Sequence, residues 1–151
     1  MSSQATYDYI IIGAGAAGLH LALAFAQDYR FSDKRILILD PDEKLKNDRT
    51  WCFWEQGASQ WDAIAHKQWY KGAYFSSESK MDLDMGAYVY KKVRGIDFYN
   101  YAKTIIAGNN RIHWVREMVN SISEDVEPVV SCVSGAAYTC KHVFDSRIPD
   151  A

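Results

Sequence analysis

The sequence predicts an α/β fold built around a Rossmann-type dinucleotide-binding unit, and three features near the N-terminus lead to that prediction. An apolar, β-branched run ends at Ile12, a glycine-rich turn follows it, and a second apolar run ends at the acid Asp40. Buried parallel strands read as continuous apolar runs, and a helix between two of them completes a βαβ unit. We therefore predict a βαβ unit over residues 7–40.

The glycine-rich turn at residues 13–18 carries the pattern G-x-G-x-x-G. In this pattern Gly13 permits the tight turn, Gly15 lets the backbone approach a diphosphate, and Gly18 lets the helix pack closely on the strand. The helix N-terminus offers free N–H groups and the positive end of its dipole to an anion. The residues predicted to bind the diphosphate of a dinucleotide are Gly13, Ala14, Gly15, Ala16, Ala17 and Gly18.

The acid at the end of the second strand supplies another part of a dinucleotide site. Asp40 follows Gly18 at close to the spacing of roughly 20 residues expected for an acid that accepts hydrogen bonds from the adenosine ribose. Its charge argues against a 2′-phosphate, because two anions would then meet. The motif does not distinguish NAD from the ADP half of FAD.

The segment after the second strand is rich in aromatic residues and begins with the run N-D-R-T-W-C-F-W-E at residues 47–55. The loop after the second strand of a Rossmann unit lies at the sheet edge where cofactors bind. We therefore predict that Arg49 contacts phosphate or flavin oxygens, with an ordinary surface arginine as the alternative. The alternation around Trp51, Phe53 and Trp54 fits core packing on a strand with one buried face.

The rest of the chain reads as an antiparallel insertion, one helix and further strands. Helical spacing predicts a core face, and the helix should have Asp97 or the preceding glycine, Gly95, near its cap and end at Gly108. Without a linker, one domain over residues 1–151 is the economical interpretation. The predicted core residues of the helix are Phe98, Tyr101, Ala102, Ile105 and Ile106. The predicted strands are 68–75, 80–85, one from Tyr88, 111–115 with 119–123 as its continuation, 129–133 paired with 138–140, and a buried strand at 143–145.

Composition excludes several classes of function. The net charge is −2, from 17 basic and 19 acidic residues, which gives no electrostatic case for binding nucleic acid. The chain has neither the roughly 18–20 apolar residues of a membrane-spanning helix nor a secretory signal, so we expect a cytoplasmic protein. The three cysteines and four histidines are scattered, and we predict neither a disulfide framework nor a metal site.

Several blocks of the chain resemble a known family. The residues 7–18, together with the run at 47–55, resemble the N-terminal part of bacterial lycopene β-cyclases. Residues 88–99 and 143–147 are similar to later blocks of the same family, so the resemblance covers essentially the whole chain. The glycine block is shared by many unrelated flavoproteins, whereas R-T-W-C-F-W-E is specific.

The resemblance implies a flavoprotein of the glutathione-reductase-like fold that holds FAD, in a reduced form supplied by NAD(P)H. It implies net non-redox cyclisation of lycopene: an acid protonates the end of the polyene, the carbocation closes a six-membered ring, and a proton is lost to give the β-ring. It places Met118 and Val119 beside the adenine, and Arg49 near the phosphates or the flavin ring. A lipophilic substrate also implies peripheral contact with the inner membrane.

The resemblance also has a limit, because members of the family are much longer than this chain. We therefore expect residues 1–151 to be the N-terminal part of an FAD/NAD(P)-binding domain, with the substrate-binding and catalytic half outside it. No catalytic residue can be carried over, and Glu55 is the only carboxylate nominated near a flavin, with a structural role as its alternative. Two other interpretations stay open: a flavin monooxygenase or other carotenoid-modifying oxidoreductase, and a non-catalytic dinucleotide-binding module.

Overall fold

The computed structural model describes residues 6–123 and 126–148, which form two compact units. The first unit combines residues 1–43 with 102–151, and the second comprises residues 44–101. In chain order the elements are β1 (Thr6–Ile12), α1 (Ala16–Gln27), a 3₁₀ helix (Tyr29–Phe31), β2 (Ile36–Leu39), β3 (Thr50–Gln56), a 3₁₀ helix (Gln60–Ile64), β4 (Lys67–Trp69), β5 (Gly72–Phe75), β6 (Lys80–Leu83), β7 (Tyr88–Arg94), α2 (Gly95–Ala107), β8 (Ile112–Val115), β9 (Val119–Ile122), β10 (Val129–Cys132) and β11 (Ala137–Asp145).

The first unit is built on a six-stranded mixed sheet with the order β8-β2-β1-β11-β10-β9. Strand β1 pairs in parallel with β2 on one side and with β11 on the other, and β2 pairs in parallel with β8. Strands β9, β10 and β11 form an antiparallel meander. The predicted βαβ unit is therefore present, and the α/β fold class with an antiparallel insertion is confirmed.

The core of the first unit follows from the apolar runs of its central strands. Every residue of β2 is buried, as are the last three of β1, because both faces of these strands are covered. One face carries α1, whose buried residues include Leu19, Ala22 and Leu23. In addition, Leu37 and Leu39 of β2 share a core cluster with Val119 and Val130 of the meander.

The second unit holds the antiparallel insertion, in the form of two small sheets. One has three strands in the order β3-β7-β4, and the other is the hairpin of β5 and β6. Side chains from the 3₁₀ helix Gln60–Ile64 and from the start of α2 cover one face of the three-stranded sheet, where the rings of Trp51 and Trp61 both contact Phe98. Glycine at the first position of α2 fits a tight site, because a Cβ at Gly95 would lie 3.0 Å from the carbonyl oxygen of Arg49.

Three strand predictions were wrong. The predicted strand 68–75 is two strands, because β4 pairs with β7 whereas β5 pairs with β6. The segment 119–123 does not continue the preceding strand: β8 and β9 are the two opposite edges of the sheet. Residues 143–145 are the end of the nine-residue β11 rather than a separate strand, and Phe144 is exposed.

Of the five residues predicted to form the core face of α2, three are buried and two are only half-buried. Phe98, Ala102 and Ile106 are buried, whereas Tyr101 and Ile105 are half-buried. Tyr99 is also buried, and its hydroxyl donates to Asp48 at 2.9 Å.

On β3, the expectation of core packing was wrong for Trp54, which lies on the opposite face from Trp51 and Phe53 and is 54% exposed. Among the described residues, neither helix is long and apolar enough to cross a membrane.

Candidate dinucleotide-binding site

The glycine turn after β1 has a conformation that needs glycine at its first position. Gly13 has a φ of +100°, and a Cβ there would lie 2.0 Å from Oγ of Ser146. The turn is fixed on both sides, since the Gly13 N–H donates to the carbonyl of Leu39 at 2.8 Å and the Ser146 hydroxyl donates to the carbonyl of Ile12 at 2.7 Å. The turn is therefore held by both strands that flank β1.

The other two motif glycines differ in what surrounds them. A Cβ at Gly18 would lie 2.0 Å from the carbonyl oxygen of Gly13 and 3.1 Å from Cγ2 of Ile11, so only glycine lets α1 approach the turn this closely. A Cβ at Gly15 would have no atom of the described residues within 4 Å. The backbone at Gly15 thus faces open space, which is what the approach of a diphosphate requires.

The open space lies at the start of α1. Gly15 is the N-cap of α1 and has no side chain to satisfy the first N–H groups, which in any helix lack an intrahelical acceptor. The first N–H group bonded back to Gly15 is that of Leu19, at 3.0 Å. The N–H groups of Ala16, Ala17 and Gly18, together with the helix dipole, are suited to an anion.

Asp40 lies at the same edge of the sheet and is tied directly to the glycine turn. Its Oδ2 accepts the Ala14 N–H at 2.6 Å, and its Oδ1 accepts the Asp42 N–H at 2.7 Å. The residue is only 7% exposed. A carboxylate has about four acceptor positions and can accept several hydrogen bonds at once. The acid therefore both orders the turn and lies beside it.

Replacing Asp40 by asparagine should destabilise the turn, because the amide keeps one acceptor oxygen but sets an NH₂ donor against a backbone N–H. An unsatisfied buried donor costs about 1–2 kcal/mol. Urea unfolding of Asp40→Asn should show that loss as a lower midpoint. Asp33→Asn, at an aspartate whose side chain is 72% exposed, is the matched control; equal midpoints for the two variants would refute a role of Asp40 in ordering the turn.

Val119, predicted to lie beside an adenine, is the first residue of β9 and is buried. Its carbonyl accepts a hydrogen bond from Nη1 of Arg147 at 3.2 Å. Met118, its neighbour, is 55% exposed, and its carbonyl accepts the Val133 N–H. Arg147 follows Ser146, the residue that holds the glycine turn, so the start of β9 is linked to the edge where the turn lies.

Ser146 and Arg147 form a part of this site that the residue patterns alone did not single out. Arg147 also forms a salt bridge with Asp145, at 2.8 Å between Nη2 and Oδ2, and its hydrogen bonds hold the pKa of that carboxyl below its usual range. Their position in the sequence could have indicated this role. Residues that directly follow a strand parallel to β1 lie at the same edge of the sheet as the glycine motif.

A cleft of about 440 Å³ opens beside the glycine turn. Its walls come from the end of β1, the first turns of α1 and the end of β11, and it lies within the size range of small-molecule sites. The lining residues that belong to the turn and to the segment after β11 are Ala17, Gly18, Asp145 and Ser146, and the apolar wall includes Ile11 and Leu21.

Arg49 and Glu55 belong to the second unit. Arg49 directly precedes β3, and its carbonyl accepts the Gly95 N–H at 2.7 Å, while its side chain is exposed. Contact between Arg49 and a cofactor stays a prediction. Glu55 has structural partners: its Oε2 accepts from Nζ of Lys91 at 2.9 Å and from the Ser59 hydroxyl at 2.6 Å.

The candidate metal ligands and the thiols can be placed in the part of the chain that is described. Within residues 6–123 and 126–148, no group of three or more His, Cys, Asp or Glu side chains is arranged to hold a metal ion. The three cysteines are free thiols, two of them buried. Burial raises the pKa of Cys140 to about 11, which keeps it protonated and unreactive at neutral pH.

The parallel core, the glycine turn at the head of α1 and the acid beside it define a Rossmann-type dinucleotide-binding domain. The sequence comparison gives the particular family. The model of the family described as lycopene cyclase protein matches residues 8–150, and the chain belongs to that family. Among curated proteins, no sequence matches it.

The solved structures with a similar fold include PltM, described in complex with FAD, and PqsL, described as a probable FAD-dependent monooxygenase. The halogenase PltM, solved in complex with phloroglucinol and FAD, superposes with a TM-score of 0.66 at 15% identity over 93% of this chain and 34% of its own. PqsL of Pseudomonas aeruginosa, in complex with 2-aminobenzoylacetate, gives 0.68 at 11% identity over 91% of this chain and 42% of its own. The peptidyl tryptophan dihydroxylase QhpG gives 0.60 at 13% identity, over 97% and 34%.

These likenesses show the fold, because the identities are low. The chain spans between about a third and two fifths of the length of the solved structures that it matches. The fold is therefore shared with only a part of each of these proteins.

Proposed function

We propose that this chain supplies the FAD-binding part of a flavin-dependent lycopene β-cyclase, an enzyme that closes β-rings on a linear carotenoid without net redox change. The observation that carries the proposal is the match to the lycopene cyclase family over residues 8–150. The open backbone at Gly15 supports the flavin part of it, since it leaves room for a diphosphate at the N-terminus of α1.

The residues that would hold FAD have separate tasks. The N–H groups at the start of α1 would bind the diphosphate, Asp40 would accept from the ribose, and the backbone around Val119 would border the adenine. Arg49 would contact the phosphates or the flavin ring as a fixed cation. When bound in its reduced form, produced by NAD(P)H, the flavin supplies electron density that stabilises positive charge on the substrate.

The proposed reaction begins with protonation of one end of the polyene by an acid, which we do not assign to any residue of this chain. The resulting carbocation is attacked by a neighbouring double bond, which closes the six-membered ring. Loss of a ring proton then gives the β-ring, so that no electron leaves the substrate. The contribution of this chain is to bind and orient the cofactor.

Expression of the complete gene in cells that accumulate lycopene tests the proposal. We expect carotenoids with β-rings by liquid chromatography and mass spectrometry, and cells with an empty vector as control should retain lycopene. Products that gain oxygen would instead support a flavin monooxygenase, the second candidate, which the similar fold of the PltM, PqsL and QhpG structures favours. Unchanged lycopene would contradict both. Tight FAD binding without any carotenoid product would support the third interpretation, a non-catalytic dinucleotide-binding module.

We also propose that the complete protein is cytoplasmic and binds the inner membrane peripherally, because lycopene partitions into lipid. Fractionation should find it with the membranes, and a carbonate wash should release it. Retention after the wash would contradict peripheral attachment, and recovery in the soluble fraction before any wash would contradict membrane contact.

A further inference from the structure

The three-stranded sheet of the second unit carries an aromatic row, which we define as Trp54, Tyr90 and Trp69. The register places Trp54 on β3 opposite Tyr90 on β7, and Tyr90 opposite Trp69 on β4. Directly paired residues point to the same face of an antiparallel sheet. The rings accordingly touch in sequence, with centroids 4.8 Å apart for Trp54 and Tyr90 and 5.7 Å apart for Tyr90 and Trp69.

The two faces of this sheet differ in what covers them. On one face Lys91 is buried under the carboxylate of Asp62, and Trp51 packs against Phe98. The aromatic row lies on the other face, where Trp54 is 54% exposed and Trp69 is 36% exposed. Two tryptophans and a tyrosine aligned at an open surface are typical of a binding surface, because such rings bury large areas and also accept cations on their faces.

The row is long and narrow. It crosses three strands, which is a span of roughly 10 Å at the usual strand spacing. It is only one side chain wide, because its neighbours along the strands on this face are mostly polar. Gln56 and Tyr88 border it on one side, and Cys52, Lys92 and Lys67 border it on the other. The neighbouring Cys52 thiol raises the pKa of Tyr90, whose ordinary value of about 10 already keeps the middle ring neutral at pH 7.

We propose that this aromatic row contacts the conjugated hydrocarbon chain of the carotenoid substrate. The inference rests on the proposed function, which gives the protein a substrate that is flat, apolar and elongated. A narrow, uncharged row of π faces fits such a molecule lying across the strands better than it fits a broad protein surface. Ring faces also attract positive charge, so the same contact suits a polyene that becomes cationic.

Binding of lycopene in detergent micelles to the purified, FAD-loaded protein tests the inference. Lycopene is achiral, so a circular dichroism signal in its visible absorption band reports the bound polyene directly. We expect Trp54→Ala and Trp69→Ala each to raise the apparent Kd for lycopene about tenfold, because each removes one stacking partner. Trp54→Phe, which keeps a ring, should restore most of the affinity. FAD content and far-ultraviolet circular dichroism check that each variant is folded.

Phe75→Ala is the matched control, because Phe75 is an exposed aromatic residue of the same unit, 68% exposed, and lies outside the row. Unchanged lycopene affinity in both tryptophan variants would overturn the inference. So would a wild-type dimer that Trp54→Ala converts to monomer, because the row would then be a protein interface.

Cyclisation in lycopene-accumulating cells separates the failure of this inference from the failure of the proposed function. If the wild type makes β-rings and the row variants do so equally well, the inference fails and the function stands. If lycopene binding depends on the row but no β-ring forms, the proposed function fails and the contact surface stands. A wild-type protein that neither binds nor converts lycopene would overturn both.

Discussion

Gly15→Ala should weaken FAD binding by tenfold to a hundredfold while it leaves the fold intact. A Cβ at Gly15 would touch no described atom, and the φ of −79° suits alanine, so the loss of stability should stay within about 1 kcal/mol, as expected for alanine at an N-cap. The same methyl group occupies the space in front of the first N–H groups of α1. It should cost the diphosphate one charge-assisted hydrogen bond, worth about 1.5–3 kcal/mol.

Gly18→Ala, the same substitution three residues later, should chiefly lower the stability of the fold. Its Cβ would lie 2.0 Å from the backbone carbonyl of Gly13, and a backbone atom cannot rotate away as a side chain can. Helix α1 must then move off the turn, at a cost of about 3 kcal/mol. FAD binding should fall as well, but as a consequence of the displaced helix.

Two measurements on the same proteins distinguish these effects: the urea unfolding midpoint and a fluorescence titration with FAD. Gly108→Ala is the control, because a Cβ there makes only an ordinary contact of 3.4 Å with the carbonyl of Ile105. It should change neither quantity. If Gly15→Ala binds FAD as tightly as the wild type, the diphosphate does not approach the chain at this turn.

The glycine turn could be predicted because its geometry is local. The tasks assigned to Gly13 and Gly18 from their spacing are those that the structure requires, since a tight turn and a close helix contact involve residues a few positions apart. The partner that closes the turn is not local: Ser146 lies 134 positions from Ile12, whose carbonyl it holds. A pattern within six residues carries no information about that contact.

Strand pairing could not be predicted for the same reason. Alternation shows which residues share a face, but the partner of a strand depends on distant segments, so β4 and β5 were predicted as one strand. The sequence of β3 also does not show which of its two faces is covered, because Trp51 and Trp54 lie on opposite faces and both are apolar. Only the position of Phe98 over Trp51 decides which face is packed.

The buried position of Lys91 was equally invisible in the sequence. It follows Tyr90 in an alternating strand and has an equally charged neighbour in Lys92, so nothing local marks it as a core residue. Its partners come from two places, the register between β3 and β7 and the capping box that Ser59 and Asp62 form at the start of a 3₁₀ helix. These contacts predict the largest stability effect in the second unit.

Lys91→Met should destabilise the second unit by about 3 kcal/mol. The lysine is 1% exposed, and its Nζ lies 2.9 Å from Oε2 of Glu55, 2.5 Å from Oδ1 of Asp62 and 3.3 Å from the carbonyl of Gly57. Removing one member of a buried ion pair leaves its partners without a counter-charge, at a cost of about 3–5 kcal/mol. The lower end applies because Glu55 and Asp62 are 26% and 33% exposed and can be partly hydrated.

The effect should depend on pH in a defined way. The pKa of Asp62 is lowered, chiefly by its hydrogen bond from Lys91, and the pKa of Glu55 is lowered first by Ser59 and then by Lys91. Stability from lowered carboxyl pKa values is present above the unfolded values near pH 4 and is lost as the pH falls through the folded ones. The pKa of Lys91 is raised, chiefly by Asp62, so its contribution is lost only as the pH rises through that raised value.

The difference in unfolding free energy between wild type and Lys91→Met should therefore be largest between about pH 5 and pH 9 and shrink at both extremes. Lys92→Met is the control, because the adjacent lysine lies on the opposite face of β7 and is half-buried; it should change the stability by no more than about 0.5 kcal/mol. In a Glu55→Gln background the cost of Lys91→Met should fall, since one of the two carboxylates is already neutral. Equal costs for Lys91→Met and Lys92→Met at pH 7 would show that the buried cation does not hold this unit together.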